Sequence, residues 1–203
     1  MKAMILAAVL GSRLKPITDN LPKPLIDVGG ISLIERSINQ LVSFGVSELI
    51  INVSHLGDQI KESLQSIDAI SKIIFIEEPF PYGTGGALVN AKNFLGNDPF
   101  ILSTADIIFD LSFYQLPTTV EAAHLVAVKN PEHNQRGDFS MKVNSVYIND
   151  GKNDFTYSGI SVLNPNILDA HLSKKYPFDL WNTILKPLIA ESRVSAHFDD
   201  SLW

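Results

Sequence analysis

The sequence predicts an α/β fold: a mostly parallel sheet with helices on both faces. Three observations carry it. Short continuous apolar runs recur along the first two thirds of the chain, as strands buried on both faces require. Amphipathic stretches follow three of them, apolar at helical spacing. The alternation β-α-β-α-β-α-β is that of crossover units, which place successive strands parallel.

Ala3 to Ala8 reads as the first strand. Leu33, Ile34, Ile38, Leu41 and Val42 keep one face of a helix apolar, and Gly45 is its expected stop. Leu49 to Val53 is the second strand, and Gly57 to Gln65 a short helix with Ile60 and Leu64 four apart. Lys72 to Ile76 is the third strand. Gly83 to Leu95 is a helix with a glycine-rich entry and Ala87, Leu88, Ala91 and Leu95 on one face. Phe100 to Ser103 is a fourth strand ending near Asp106, and His124 to Val128 a fifth. After Asn130 the pattern changes to short β-prone pieces: Phe139 to Val143, Val146 to Ile148 and Thr156 to Leu163, with Asn144-Ser145 as a turn. Phe178 to Glu191 reads as a helix kinked or broken at Pro187, and Val194 to Phe198 as a late strand. No internal repeat, linker or low-complexity segment interrupts residues 1–203, so a single domain is expected.

Composition excludes several classes. Of 203 residues, 45% are hydrophobic and 19% charged, which suits a folded chain with a real core. The net charge is −6 and no basic run stands out, so a general nucleic-acid surface is not expected. Phosphates would have to be held locally, by backbone N–H groups, a few cations and a metal. There are no cysteines, which removes disulfides, Cys-based zinc sites and thiol catalysis. The histidines His55, His124, His133, His171 and His197 show no ligand spacing. The apolar start, Met4 to Leu10, is short and leads into Arg13 and Lys15. It fits a buried strand better than a signal peptide. No run reaches the ~18 apolar residues of a membrane helix. The expected location is the cytoplasm, with no membrane partner.

Leu6 to Leu25, L-A-A-V-L-G-S-R-L-K-P-I-T-D-N-L-P-K-P-L, carries the chemistry. A buried strand opens into a tight loop with Gly11 and Ser12, then Arg13. Pro22-Lys23-Pro24 comes ten residues later. Loops at the C-terminal end of such strands are where open α/β sheets bind ligands. Small residues let backbone N–H groups approach phosphate oxygens. Arg13 and Lys23 supply cations, and the two prolines aim the Lys23 side chain. No G-x-G-x-x-G follows the first strand and no acidic residue ends the second, which disfavours an NAD(P) oxidoreductase.

This segment resembles the signature of the sugar-1-phosphate nucleotidylyltransferases, L-A-A-G-x-G-x-R-[LM]-x-P-[LI]-T followed by P-K-P-[LM]. The resemblance implies a Rossmann-like nucleotide-diphospho-sugar transferase fold, shortened at the C-terminus, with a nucleotide-binding half over 1–129 and a sugar-binding half over 130–203. It implies nucleotide contacts from Leu6, Ala7, Ala8, Val9, Gly11, Ser12, Arg13 and Lys23. Gly83, Thr84, Gly85 and Gly86 look like the family's second nucleotide loop. Ser103-Thr104-Ala105-Asp106 falls where the family has a strand-end aspartate that holds Mg²⁺. Further likeness is to N-acetylmuramate-1-phosphate uridylyltransferases of cell-wall recycling. Asn130, Asp138, Ser158 and Gly159 match their sugar-binding segments. Mannose-1-phosphate guanylyltransferases share much of this pattern.

The implied partners are a nucleoside triphosphate and a sugar 1-phosphate, with Mg²⁺ as cofactor. A sugar phosphate oxygen attacks the α-phosphorus and pyrophosphate leaves. Both reactants are polyanions, so the protein must neutralise charge and hold them in line. Arg13 is expected on the β- and γ-phosphates, Lys23 on the α-phosphate or sugar phosphate, and Asp106 on Mg²⁺. Asp138 fits sugar binding or a plain turn with Gly137, and Gly85-Gly86 fits a ligand loop or a helix entry. Two departures predict a weak or inactive enzyme. Val9 stands where the family has a glycine; a β-branched residue resists positive φ and fills space beside the phosphates. After Trp203 the family's V-D-V-G-T-type motif, source of a second metal aspartate, does not follow; Asp199 and Asp200 are the nearest carboxylates. The alternative expectation is a non-catalytic relative that binds nucleotide or sugar phosphate.

Overall fold

In a computed structural model, which describes residues 1–65, 67, 70, 72–110, 115–201 and 203, the first strand is β1 (Lys2–Leu6). Its residues alternate between two apolar layers. Ala3 and Ile5 join one, Met4 and Leu6 the other, so both faces are buried and the run reads as continuously apolar. On the first layer lie α1 (Leu33–Ser43) and α2 (Gly57–Leu64), through Ile34, Ile38, Leu41, Ile60 and Leu64. On the second lie α3 (Gly83–Leu95) and α4 (Lys186–Ala190), through Leu88, Ala91, Leu95, Leu188 and Ile189. Ile38 and Leu41 are fully buried; side chains of this size contribute about 1.5–3 kcal/mol each on burial. Ser32 caps α1, its hydroxyl accepting the Glu35 N–H at 3.3 Å, and Gly45, at φ 91°, follows its end.

The other strands are β2 (Glu48–Val53), β3 (Lys72–Glu77), β4 (Phe100–Thr104), β5 (Ala123–Lys129), β6 (Ser140–Lys142), β7 (Ser145–Tyr147), β8 (Phe155–Leu163) and β9 (Val194–Phe198). All nine form one sheet in the order β3-β2-β1-β4-β8-β5-β9-β7-β6. β1 to β4 run parallel, with Leu6 opposite Asn52 and Thr104. β8 is antiparallel to both β4 and β5. The C-terminal ends of β1 to β5 and of β9 that lie in this block therefore share one edge.

The sequence expectations hold for the fold class and for most elements to within two residues. The first strand stops at Leu6 rather than Ala8, because the next N–H, on Ala7, donates to the side chain of Asn52 at 2.9 Å. The β6–β7 turn is Val143-Asn144 rather than Asn144-Ser145, with Val143 in the left-handed region at φ 59°. The expected helix over 178–191 is shorter and of two kinds. A π-turn, Trp181–Leu185, runs into α4. Pro187 falls in the first turn of α4, where its missing N–H is least costly.

Candidate active site

Three segments converge beyond the ends of β1 and β4. The Ala105 N–H donates to the Leu6 carbonyl at 3.0 Å, one step past the ladder, and so carries Asp106 to the loop that leaves β1. In that loop Gly11 adopts φ 59°. A Cβ there would lie 2.8 Å from Thr18 Cγ2 and 3.1 Å from Lys23 Cβ, so glycine is required by backbone and by space alike. Its carbonyl accepts from Leu14 N–H at 2.8 Å and Thr18 Oγ1 at 2.9 Å. Lys23 opens a single 3₁₀ turn between Pro22 and the buried Pro24. Val9, Gly11, Ser12, Arg13, Leu14, Lys23 and Asp106 line one cavity of about 160 Å³. Arg13 is exposed, and Lys23 Nζ stands 2.6 Å from Asp106 Oδ2. The three charged residues singled out from the sequence thus share a cavity.

Val9 corrects one expectation. It is not among the residues of positive φ, so valine meets no backbone strain there. Its N–H turns back to the Ala7 carbonyl at 2.9 Å, a tight bend that needs no glycine. Its side chain lines the cavity.

The second glycine segment lies elsewhere. Gly83 to Gly86 do not line this cavity. The N–H groups of Gly85 and Gly86 both donate to the Phe178 carbonyl, at 3.1 and 3.2 Å. Thr84 Oγ1 accepts the Leu180 N–H at 2.8 Å. Cβ atoms at Gly83, Gly85 and Gly86 would lie 2.5 Å from Phe178 O, 2.7 Å from the Phe178 ring and 2.8 Å from the Tyr176 ring. These glycines seat the chain's own 176–180 segment against the start of α3.

Two residues that the sequence reading passed over tie the two loops together. Asn52 ends its donation chain on Glu78: its amide accepts from Ala7 N–H and donates to Glu78 Oε1 at 2.8 Å. Glu78 Oε2 accepts the Tyr82 N–H at 2.8 Å, just before α3. Glu78 is 4% exposed, and burial pushes its carboxyl up, opposed by the hydrogen bonds from Tyr82 and Asn52. A buried carboxylate is costly unless its oxygens are met. The only sequence signal was an acidic residue immediately after a strand.

The residues expected on the sugar are engaged by the chain itself. Asn130 donates to the Asn153 carbonyl and accepts from Thr156 Oγ1, both at 2.9 Å. Asp138 accepts Asn134 Nδ2 at 3.0 Å and Tyr157 N–H at 2.8 Å. Ser158 is buried, its hydroxyl accepting Ile160 N–H and its carbonyl accepting the Trp203 indole N–H at 2.7 Å. Gly159, at φ 89°, sits where β8 shifts register against β5, and a Cβ there would lie 3.1 Å from Thr104 Oγ1. Asn130 lines a hollow of about 300 Å³ with Lys129, Asp199, Asp200 and Trp203. Asp199 accepts the Ser201 N–H at 2.8 Å and Asp200 pairs with Lys129. Neither carboxylate lines the Asp106 cavity.

Among the described residues, no group of three or more His, Asp or Glu side chains could enclose a metal. Asp106 alone fits a hard cation that keeps most of its shell as water and ligand phosphate, the way Mg²⁺ is commonly bound. No helix among the described residues is long and apolar enough to cross a membrane. Larger hollows open elsewhere, of about 410 Å³ beside α2 and about 450 Å³ beside α1. Chemistry rather than size selects the smaller one.

A mostly parallel sheet with a cationic glycine loop and a strand-end carboxylate at one edge is the place where open α/β proteins bind ligands. The fold is shared with HddC of Yersinia pseudotuberculosis in a complex with GMP-PN, at TM-score 0.80 and 23% identity, covering 98% of this chain and 91% of that one. A family model for nucleotidyl transferase matches residues 2–139, and the chain belongs to that family. It is 35% identical to the N-acetylmuramate alpha-1-phosphate uridylyltransferase of Neisseria meningitidis serogroup B, over 100% of this chain and 91% of the relative. It is 31% identical to the mannose-1-phosphate guanyltransferase of Aspergillus fumigatus over 83% of this chain, matching 50% of that relative's length.

Proposed function

We propose that the chain transfers a nucleotidyl group from a nucleoside triphosphate to a sugar 1-phosphate, releasing pyrophosphate. The observation that supports this best is the meeting of Arg13, Lys23 and Asp106 on one cavity at the end of β1. Arg13, exposed at the mouth, receives the β- and γ-phosphates. Lys23 neutralises the α-phosphate or the arriving sugar phosphate. The nucleophile is already an anion, so no general base is required. The P–O bond forms from the sugar phosphate to the α-phosphorus as the bond to the pyrophosphate breaks. Asp106 is the residue that would hold Mg²⁺, which offsets charge on the phosphate oxygens.

The relative from Neisseria supports UTP and N-acetylmuramate 1-phosphate as the substrates; the fungal relative supports GTP and mannose 1-phosphate as a second reading. Pyrophosphate release over a grid of four nucleoside triphosphates and a panel of sugar 1-phosphates decides between them. Asp106→Asn is expected to lower turnover by roughly 10²–10³-fold with an unchanged melting temperature. No release with any pair, from protein that binds a triphosphate, would establish a binding protein instead.

A further inference from the structure

We propose that Lys23 is a resident counter-ion that keeps the divalent cation off Asp106 until a triphosphate arrives. This rests on the reading of Asp106 as the metal-holding residue. The Lys23 ammonium stands 2.6 Å from Asp106 Oδ2, so the carboxylate that would hold a cation already carries one. The pair is not a loose surface contact. The two side chains are only 25% and 24% exposed, and both are anchored at the backbone. Lys23 is set by its flanking prolines and by packing so close to Gly11 that a Cβ there would lie 3.1 Å from Lys23 Cβ; Asp106 is set by the Ala105 bond to β1.

Asp106 cannot serve both cations well. Asp106 is the one carboxylate among the residues that line this cavity, so one negative charge is available in it. A dication entering alone would face the Lys23 ammonium at close range in a partly dry cavity, where like charges repel far more strongly than in water. A triphosphate changes both sides of the exchange. It brings oxygens that complete the metal's shell, and it gives Lys23 a new anionic partner. Metal and nucleotide therefore bind with positive coupling beyond their own chelation, and the coupling is reciprocal. The protein without nucleotide keeps its catalytic carboxylate neutralised and its lysine in place.

The test measures Mn²⁺ binding to the full chain by electron paramagnetic resonance, with no sugar phosphate present, so no turnover is involved. In nucleotide-free protein, Lys23→Met is expected to tighten Mn²⁺ binding by about tenfold or more, since one point charge is removed and the stem kept. Lys23→Gln repeats the comparison if the methionine variant melts early. Asp106→Asn and the Lys23→Met/Asp106→Asn double variant are expected to show no such gain. Equal affinities in the wild-type chain and both Lys23 variants overturn the proposal, as does a gain that survives in the double variant. The parent reading has its own readout. A wild-type melting temperature unmoved by UTP, GTP, CTP or ATP with Mn²⁺ overturns nucleotide binding, whatever Lys23→Met does to the metal.

Discussion

The chain has two segments that depend on glycine at the same edge of one sheet, and they do opposite things. Gly11 lets the β1 loop fold tightly over Thr18 and Lys23, leaving a cavity with charged walls. Gly83, Gly85 and Gly86 let Phe178 and Tyr176 come so close that the helix start is filled by protein. Glycine at a helix entry permits a close approach; what approaches is settled by the rest of the chain. A sequence motif records the permission and not the guest.

The comparison breaks most easily at Gly83. Alanine there combines φ 76° with a Cβ 2.5 Å from the Phe178 carbonyl, a backbone atom that cannot rotate away. Gly83→Ala is expected to lower unfolding free energy by roughly 4 kcal/mol, measured by urea denaturation. Pyrophosphate release per folded molecule should fall much less. A variant as stable as the parent would show that the 176–180 segment is not held there.

Gly11→Ala should invert that pattern. Its Cβ is strained at φ 59° but meets side-chain atoms of Thr18 and Lys23 rather than backbone, so the loop shifts and survives. Turnover should drop by about 10²-fold, the usual result of moving a charged group by an ångström, with stability lowered by only ~1–2 kcal/mol. Unchanged turnover would detach this loop from the chemistry.

A further expected effect lies outside both segments, in strands of the sheet they share. His124 on β5 is 7% exposed, with Nδ1 2.8 Å from Ser195 Oγ and Nε2 2.8 Å from His197 Nδ1. Burial first, and the neighbouring His197 second, lower its pKa from 6.5 to about 4. The unfolded chain then binds the proton more readily between those values. Stability is full above pH 6.5 and is lost as pH falls towards 4, by roughly 2–3 kcal/mol from this group. His197, lowered by burial and raised by Asp199, adds in the same direction. His124→Gln should flatten this limb in melting curves taken from pH 4 to 7.

The smallest effect is expected at Val9. Val9→Gly clears a side chain from the cavity wall without relieving any backbone strain. Triphosphate affinity should improve by about tenfold or less by calorimetry. A larger gain would mean that the loop itself reshapes.

The parallel core was legible because each apolar run must bury both faces, and Ala3 to Leu6 show why: consecutive residues enter different layers. The Arg13, Lys23 and Asp106 grouping was legible because Arg13 and Asp106 follow the ends of β1 and β4 within a few residues, and Pro22-Lys23-Pro24 matches the second part of the family signature. The partners of Asn130, Asp138 and Gly85 were not legible, since they lie 19 or more residues away on Asn153, Tyr157 and Phe178 and depend on how β8 and the 176–180 segment dock. Asn52 and Glu78 were hidden for a similar reason: inside and just after apolar strands they looked like ordinary polar interruptions.

β8 has a consequence for how the chain is made. It is the strand wedged between β4 and β5, running against both, with Phe100 opposite Leu163 and Ala123 opposite the same residue. Until it is inserted, β4 and β5 each carry an unpaired edge in the middle of what becomes one sheet. At roughly 5–20 residues per second on a ribosome, β4 waits several seconds for its partner. During that interval the apolar edge Phe100-Ile101-Leu102 is open to strands of other chains. The growing protein is most at risk of aggregation then, and a chaperone bound to nascent chains paused between residues 104 and 163 would be shielding that edge.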